Sequence, residues 1–141
     1  MLKATVLTLT AVYLLVVSGI CLSKELAPGL YQLETQTIMP HLEEMRQKKQ
    51  LSTICIVDAH IKQLFPIMRQ PGLKDCYFQR YAEEKDATFF LLRCEGLNGA
   101  EGKAKIKTGT GRIKASLDAK LGGKNMTFTQ KIIAERLGTC D

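Results

Sequence analysis

Four cysteines, Cys55, Cys76, Cys94 and Cys140, and two histidines, His41 and His60, carry most of the reactive chemistry available to this 141-residue chain. Three uses compete for such residues. A thiolate activated by an imidazole is a nucleophile, Cys/His sets at short spacing hold zinc, and paired cysteines close disulfides. The zinc use fails on spacing, because no CxxC pair or Cys/His cluster occurs. The nucleophile needs a free thiolate, whereas these four cysteines, an even number once the fifth, Cys21, leaves with an N-terminal leader, give every thiol a partner. His41 and His60 also fall in different predicted elements. The expectation is two disulfides, no catalytic residue, no metal and no cofactor. Gly109, Gly111, Gly122 and Gly123 lack the strand-to-helix context and the lysine of a phosphate-cradling loop, so turns account for them.

A second candidate chemistry is electrostatic. Lys103, Lys105 and Lys107, then Lys114 and Lys120, alternate with small or apolar residues. Alternation of this kind turns all five lysines to the outward face of two adjacent strands. They form a candidate anion-binding face for lipid head groups or an acidic polymer, held by charge with strong salt dependence. A solvated sheet face or a lysine-guarded edge has the same pattern. Interleaved aromatics are missing, so neither stacking on single-stranded nucleic acid nor sequence-specific nucleic-acid recognition is expected.

The elements that position these residues begin after a leader. Residues 1–23 carry Lys3, then the apolar run Ala11 to Val17, then small residues, which is the pattern of a cleaved signal peptide. Its apolar run is short for a membrane span. Cleavage after Ser23 discards Cys21, and Ile20 in front of Cys21 argues against lipid attachment there. Residues 24–141 then form one domain. Lys3 leaves with the leader, so 19 basic residues face 14 acidic ones, a net charge of +5. The expected address is periplasmic or secreted.

Between Cys76 and Cys94, the runs Tyr77 to Tyr81 and Thr88 to Arg93 flank the charged Glu83 to Asp86, which reads as a hairpin. Paired positions in a hairpin share a constant sum of residue numbers. Folding about Lys85 sets Cys76 opposite Cys94, Phe78 opposite Leu92 and Tyr81 opposite Phe89. Opposed positions lie within disulfide reach, which leaves Cys55 to join Cys140. Loop-closure entropy gives the two bridges about 3 and about 4.5 kcal/mol, with the larger value on Cys55–Cys140.

Arg112 to Leu121 alternates strictly, with Ile113, Ala115, Leu117, Ala119 and Leu121 on one face, so it is a half-buried strand. Lys103 to Lys107 pairs with it through a turn at Thr108 to Gly111. Met126 to Glu135 is a further long strand, making the second half an antiparallel meander. Earlier, Leu30 to Ile38 is a strand ended by Pro40, and Ser52 to Val57 is another. Residues 41–50 are charged and read equally as a solvated helix or a loop. Asp58 is a candidate N-cap for a helix from Ala59 to Met68, with Ile61, Leu64, Phe65 and Met68 on one face and Pro66 as a break. The fold class is mainly β: an antiparallel, curved meander sheet or partly closed barrel, with one short helix and two disulfides.

Pro28-Gly29-Leu30-Tyr31-Gln32-Leu33, the order of Cys55, Cys76 and Cys94, the glycine-turned hairpins and the ending Arg136-Leu137-Gly138-Thr139-Cys140 resemble the bacterial exported family of unknown function numbered thirty-six-seventeen. The likeness covers nearly all of residues 24–141. It departs at Tyr31, where the family usually has tryptophan. The resemblance implies a Gram-negative periplasmic or secreted address and transfers no catalytic residue. Two functions remain in play for what is expected to be a non-enzymatic monomer. One is a binding module for an apolar ligand or an envelope protein partner. The alternative is an anion-binding surface protein that uses the lysine face.

Overall fold

The computed structural model describes residues 26–40, 48–96, 99–122 and 126–141. The leader at residues 1–23 and most of the charged segment, residues 41–47, lie outside them. The described strands are β1 (Gly29–Ile38), β2 (Lys49–Ile56), β3 (Tyr77–Glu84), β4 (Ala87–Arg93), β5 (Glu101–Gly109), β6 (Arg112–Leu121) and β7 (Met126–Gly138). They form one antiparallel sheet in the order β2-β1-β7-β6-β5-β4-β3, with β2 and β3 as unpaired edges, so the barrel does not close. Only β3 to β7 run as a meander. The β1–β2 hairpin docks β1 onto β7, a pairing between the two ends of the chain.

Alternation decides which face is buried. On β6, Ile113, Ala115, Leu117 and Ala119 are buried, and their neighbours Ala134, Ile132, Gln130 and Phe128 on β7 face the same way. Ala104 and Ile106 on β5, Phe90 and Leu92 on β4, and Tyr31 and Leu33 on β1 extend this inner face. Small residues at the centre of the face let the sheet bend. Gly102 lies opposite both Leu92 and Ala119, and a Cβ there would meet the Ala119 Cα and Cβ at 2.9 Å. At the β5–β6 turn Gly111 has φ +66°, which glycine adopts without the steric penalty of a side chain.

Residues 57–76 cross from the β2 edge to the β3 edge and cover the inner face as a strap. Their structure corrects the expected helix. They form three 3-10 turns, Ile61–Leu64, Pro66–Arg69 and Pro71–Leu73, and no α-helix. The residue before a proline is driven out of the helical region. Phe65 (φ −104°, ψ 99°) and Gln70 (φ −63°, ψ 140°) are extended accordingly, each before a proline. Asp58 does not cap a helix; its carboxylate accepts from the His60 N–H at 3.2 Å and from the Gln63 amide. The strap drives Leu64, Phe65 and Met68 into the core, where all are almost fully buried. The Phe65 ring sits 5.6 Å from that of Phe78 on β3.

The β3–β4 hairpin holds Phe78 opposite Leu92, but a bulge between Arg80 and Ala82 shifts the register. Phe89 therefore pairs with Ala82 rather than Tyr81, although the Tyr81 and Phe89 rings stay 6.2 Å apart. Cys76 is bonded to Cys94, with 4.1 Å between Cα atoms, and Cys55 to Cys140, with 5.6 Å.

Candidate functional site

Both ends of the folded unit meet in one clasp. Gly29 has φ +153°, and a Cβ on it would collide with the Arg136 side chain at 2.6 Å and the Gly138 carbonyl oxygen at 2.7 Å. Arg136 donates from Nε and Nη2 to the Pro28 carbonyl at 3.3 and 3.2 Å, and Tyr31 donates its hydroxyl to the Ala27 carbonyl at 2.9 Å. Beside them Cys140 reaches past the start of β1 to Cys55 on β2. The Arg136 and Tyr31 side chains are thus bonded to backbone carbonyls and Cys140 to Cys55, so the clasp ties the two ends of the fold together.

The remaining reactive residues lie apart. His60 is exposed, and its Nε2 is 3.8 Å from the Asp58 carboxylate. His41 lies outside the described residues. Among the described residues, no three His, Cys, Asp or Glu side chains gather as a metal site would require.

A cleft of about 760 Å³ lies where the two edges of the sheet approach each other. Ile54 and Cys55 of β2 line one side, Cys76, Tyr77 and Phe78 the other, and the strap residues Ala59 to Gln63, Met68 and Arg69 close it with Phe90. Since β2 and β3 stand at opposite ends of the strand order, their meeting at one cleft shows how far the sheet coils on itself. Ile54, Ile61, Met68, Phe78 and Phe90 give it an apolar floor. The volume and lining are those of a small-molecule site. The disulfides pin both walls, Cys55 on the β2 side and Cys76 on the β3 side. The residue pattern alone did not reveal this cleft, because its walls are brought together by sheet coiling and by a strap whose turns the apolar spacing misrepresents.

The lysine face divides in two. Lys103 stands opposite Asp118, and Lys120 opposite Glu101, so each has an opposed carboxylate. Lys105 faces Ser116, and Lys107 faces Lys114, a like-charged pair. These last three share a depression of about 380 Å³ with Lys131 of β7 and with Lys49 of β2, which pairs with Glu34 at 2.7 Å. The Lys105 ammonium also lies 5.2 Å from the centre of the Phe89 ring. Lys103 and Lys120 instead line a separate depression beside Arg93, Glu101 and Asp118. Lys131 enters the basic group because β7 stacks beside β6, with Lys131 opposite Ser116.

Residues 26–140 match the family described as "Protein of unknown function (DUF3617)". The chain belongs to this family. No curated protein and no solved structure matches it. In this DUF3617 chain the family match runs from Leu26, just before the clasp, to Cys140, which closes it. The Pro28-Gly29 start and the Arg136 to Cys140 ending are thus the two halves of one structural contact. In this chain they lock β1 against β7, and the cleft of about 760 Å³ lies elsewhere, between the sheet edges.

Proposed function

We propose that this DUF3617 protein is an exported, non-catalytic binding protein that holds an apolar ligand in the cleft between β2, the strap and β3. The observation that carries this reading is the cleft itself, with its floor of Ile54, Ile61, Met68, Phe78 and Phe90. Two disulfides support an oxidising compartment, because cytosolic thiols are kept reduced. No helix among the described residues is long and apolar enough to cross a membrane. The test is titration of the oxidised protein with an environment-sensitive apolar fluorophore. A single saturable site, weakened about tenfold when Ile54→Trp fills the cleft, supports the proposal, since filling a pocket removes the burial that drives binding. Unsaturable binding, or binding indifferent to Ile54→Trp, rejects it.

A second reading has its own observation, the direct opposition of Lys107 and Lys114 across β5 and β6. Like charges facing across strands cost stability, and a bound anion would offset that cost. On this reading Lys105, Lys107, Lys114 and Lys131 engage an anionic surface. Retention on vesicles containing phosphatidylglycerol, lost when Lys105, Lys107 and Lys114 become Gln, favours it. Retention that the triple substitution leaves unchanged rejects it.

A further inference from the structure

The charges around the cleft are one-sided. Its lining includes His60, Lys62 and Arg69 and no Asp or Glu. The Asp58 carboxylate is 3.8 Å from the His60 Nε2, so His60 adds no unpaired charge to the lining. Lys62 is held in place by two backbone carbonyls, those of Lys74 at 2.5 Å and Cys76 at 2.8 Å, neither of which cancels its charge. Arg69 is exposed, and no carboxylate among the described residues pairs with it. Lys62 and Arg69 therefore give the cleft a positive rim, with no carboxylate among the described residues paired to either.

That rim adjoins the apolar floor. Arg69 follows Met68 in the 3-10 turn Pro66–Arg69, and Met68 is 2% exposed and lines the cleft. One residue thus faces hydrocarbon while the next presents a guanidinium to water. A guanidinium is the side chain best shaped to grip a carboxylate or phosphate through two parallel hydrogen bonds.

We infer that the ligand of the cleft is a single-chain anionic amphiphile, with its hydrocarbon on the Met68–Phe90 floor and its carboxylate or phosphate head at Arg69. This rests on the cleft being the ligand site. It adds the head-group charge, which the apolar lining alone does not specify.

Calorimetric titration with dodecanoate, dodecyl phosphate and dodecanol tests it, because the three share one chain and differ in the head. The anionic probes are expected to bind about tenfold or more tightly than dodecanol, the advantage of a charge-assisted hydrogen bond over a neutral one. Whichever of the two binds more tightly identifies the head as carboxylate or phosphate. Arg69→Gln removes the advantage and leaves dodecanol unchanged. Arg69→Lys keeps the charge, loses the fork and retains part of the advantage. Equal binding of all three probes, or a preference that survives Arg69→Gln, overturns the inference while leaving the cleft as an apolar site. Failure of all three to bind overturns the cleft reading and the inference together.

Discussion

Replacing Cys55 and Cys140 together by alanine removes the bridge that spans 85 residues of sequence. Cys55 is exposed and Cys140 half-buried, so truncating them leaves no core cavity. The loss is then close to pure loop closure, about 4.5 kcal/mol on the chain-entropy account. A folded unit of about 115 residues unfolds with an entropy near 0.24 kcal/mol per kelvin, so the midpoint falls by about 19 °C. The other bridge spans 18 residues, which gives about 3 kcal/mol from closure. Cys76, however, is 4% exposed within the core cluster, and its truncation adds about 1 kcal/mol of lost packing. Burial therefore narrows the gap that loop length alone sets between the two bridges. The assay is urea unfolding of the oxidised wild type and of each double-alanine protein, followed by circular dichroism. Removing Cys55–Cys140 should also raise the denaturant slope, because the unfolded chain gains freedom and exposes more surface. A loss below about 2 kcal/mol with an unchanged slope would refute the closure argument.

Thr35 is 5% exposed, and its hydroxyl has no hydrogen-bond partner among the described residues. Thr35→Val, which keeps the shape and removes the unsatisfied oxygen, should stabilise by about 1 kcal/mol and raise the midpoint by about 4 °C; a lower midpoint would show that the hydroxyl is satisfied in solution. Gly102→Ala drives a methyl into β6 backbone and should cost about 2 kcal/mol or more, whereas Gly72→Ala enters open space and should be neutral or slightly stabilising. Equal melting of these two variants would contradict the close β5–β6 approach at Gly102. Phe65→Ala, at a fully buried position of the strap itself, should cost about 3–5 kcal/mol and weaken the apolar probe as well, since the strap closes the cleft; a variant that loses this stability yet binds normally would separate the strap from the site.

The sheet was legible where side-chain alternation is local. Strict period-two patterning over Arg112 to Leu121 and across Lys103 to Lys107 defines β6 and β5 and their buried faces. The residue-number sum for the cysteine hairpin holds from Tyr77 to Arg80 and fails beyond, because a bulge adds one residue that composition does not announce. Ile61, Leu64, Phe65 and Met68 have the spacing of an amphipathic helix, and all four are buried. The spacing was right about burial and wrong about geometry: Pro66 and Pro71 force extended residues before them and cut the segment into 3-10 turns. Docking of β1 on β7 joins residues about a hundred positions apart, a contact that no local pattern encodes. The functional consequences follow that division. The outward lysines were visible, but the placing of Asp118 and Glu101 opposite Lys103 and Lys120, and the addition of Lys131, needed the register. The cleft needed the coil of the whole sheet.

The central claim is that ligand enters between the two sheet edges, and methyl NMR during titration of the oxidised protein with dodecanoate tests it most directly. The account predicts saturable shifts at the methyl groups of Ile54, Ile61 and Met68, which line the cleft, and none at Ile133, which lies in the basic depression of the outer face. Shifts confined to Ile133, with the three cleft methyl groups unmoved, would contradict it.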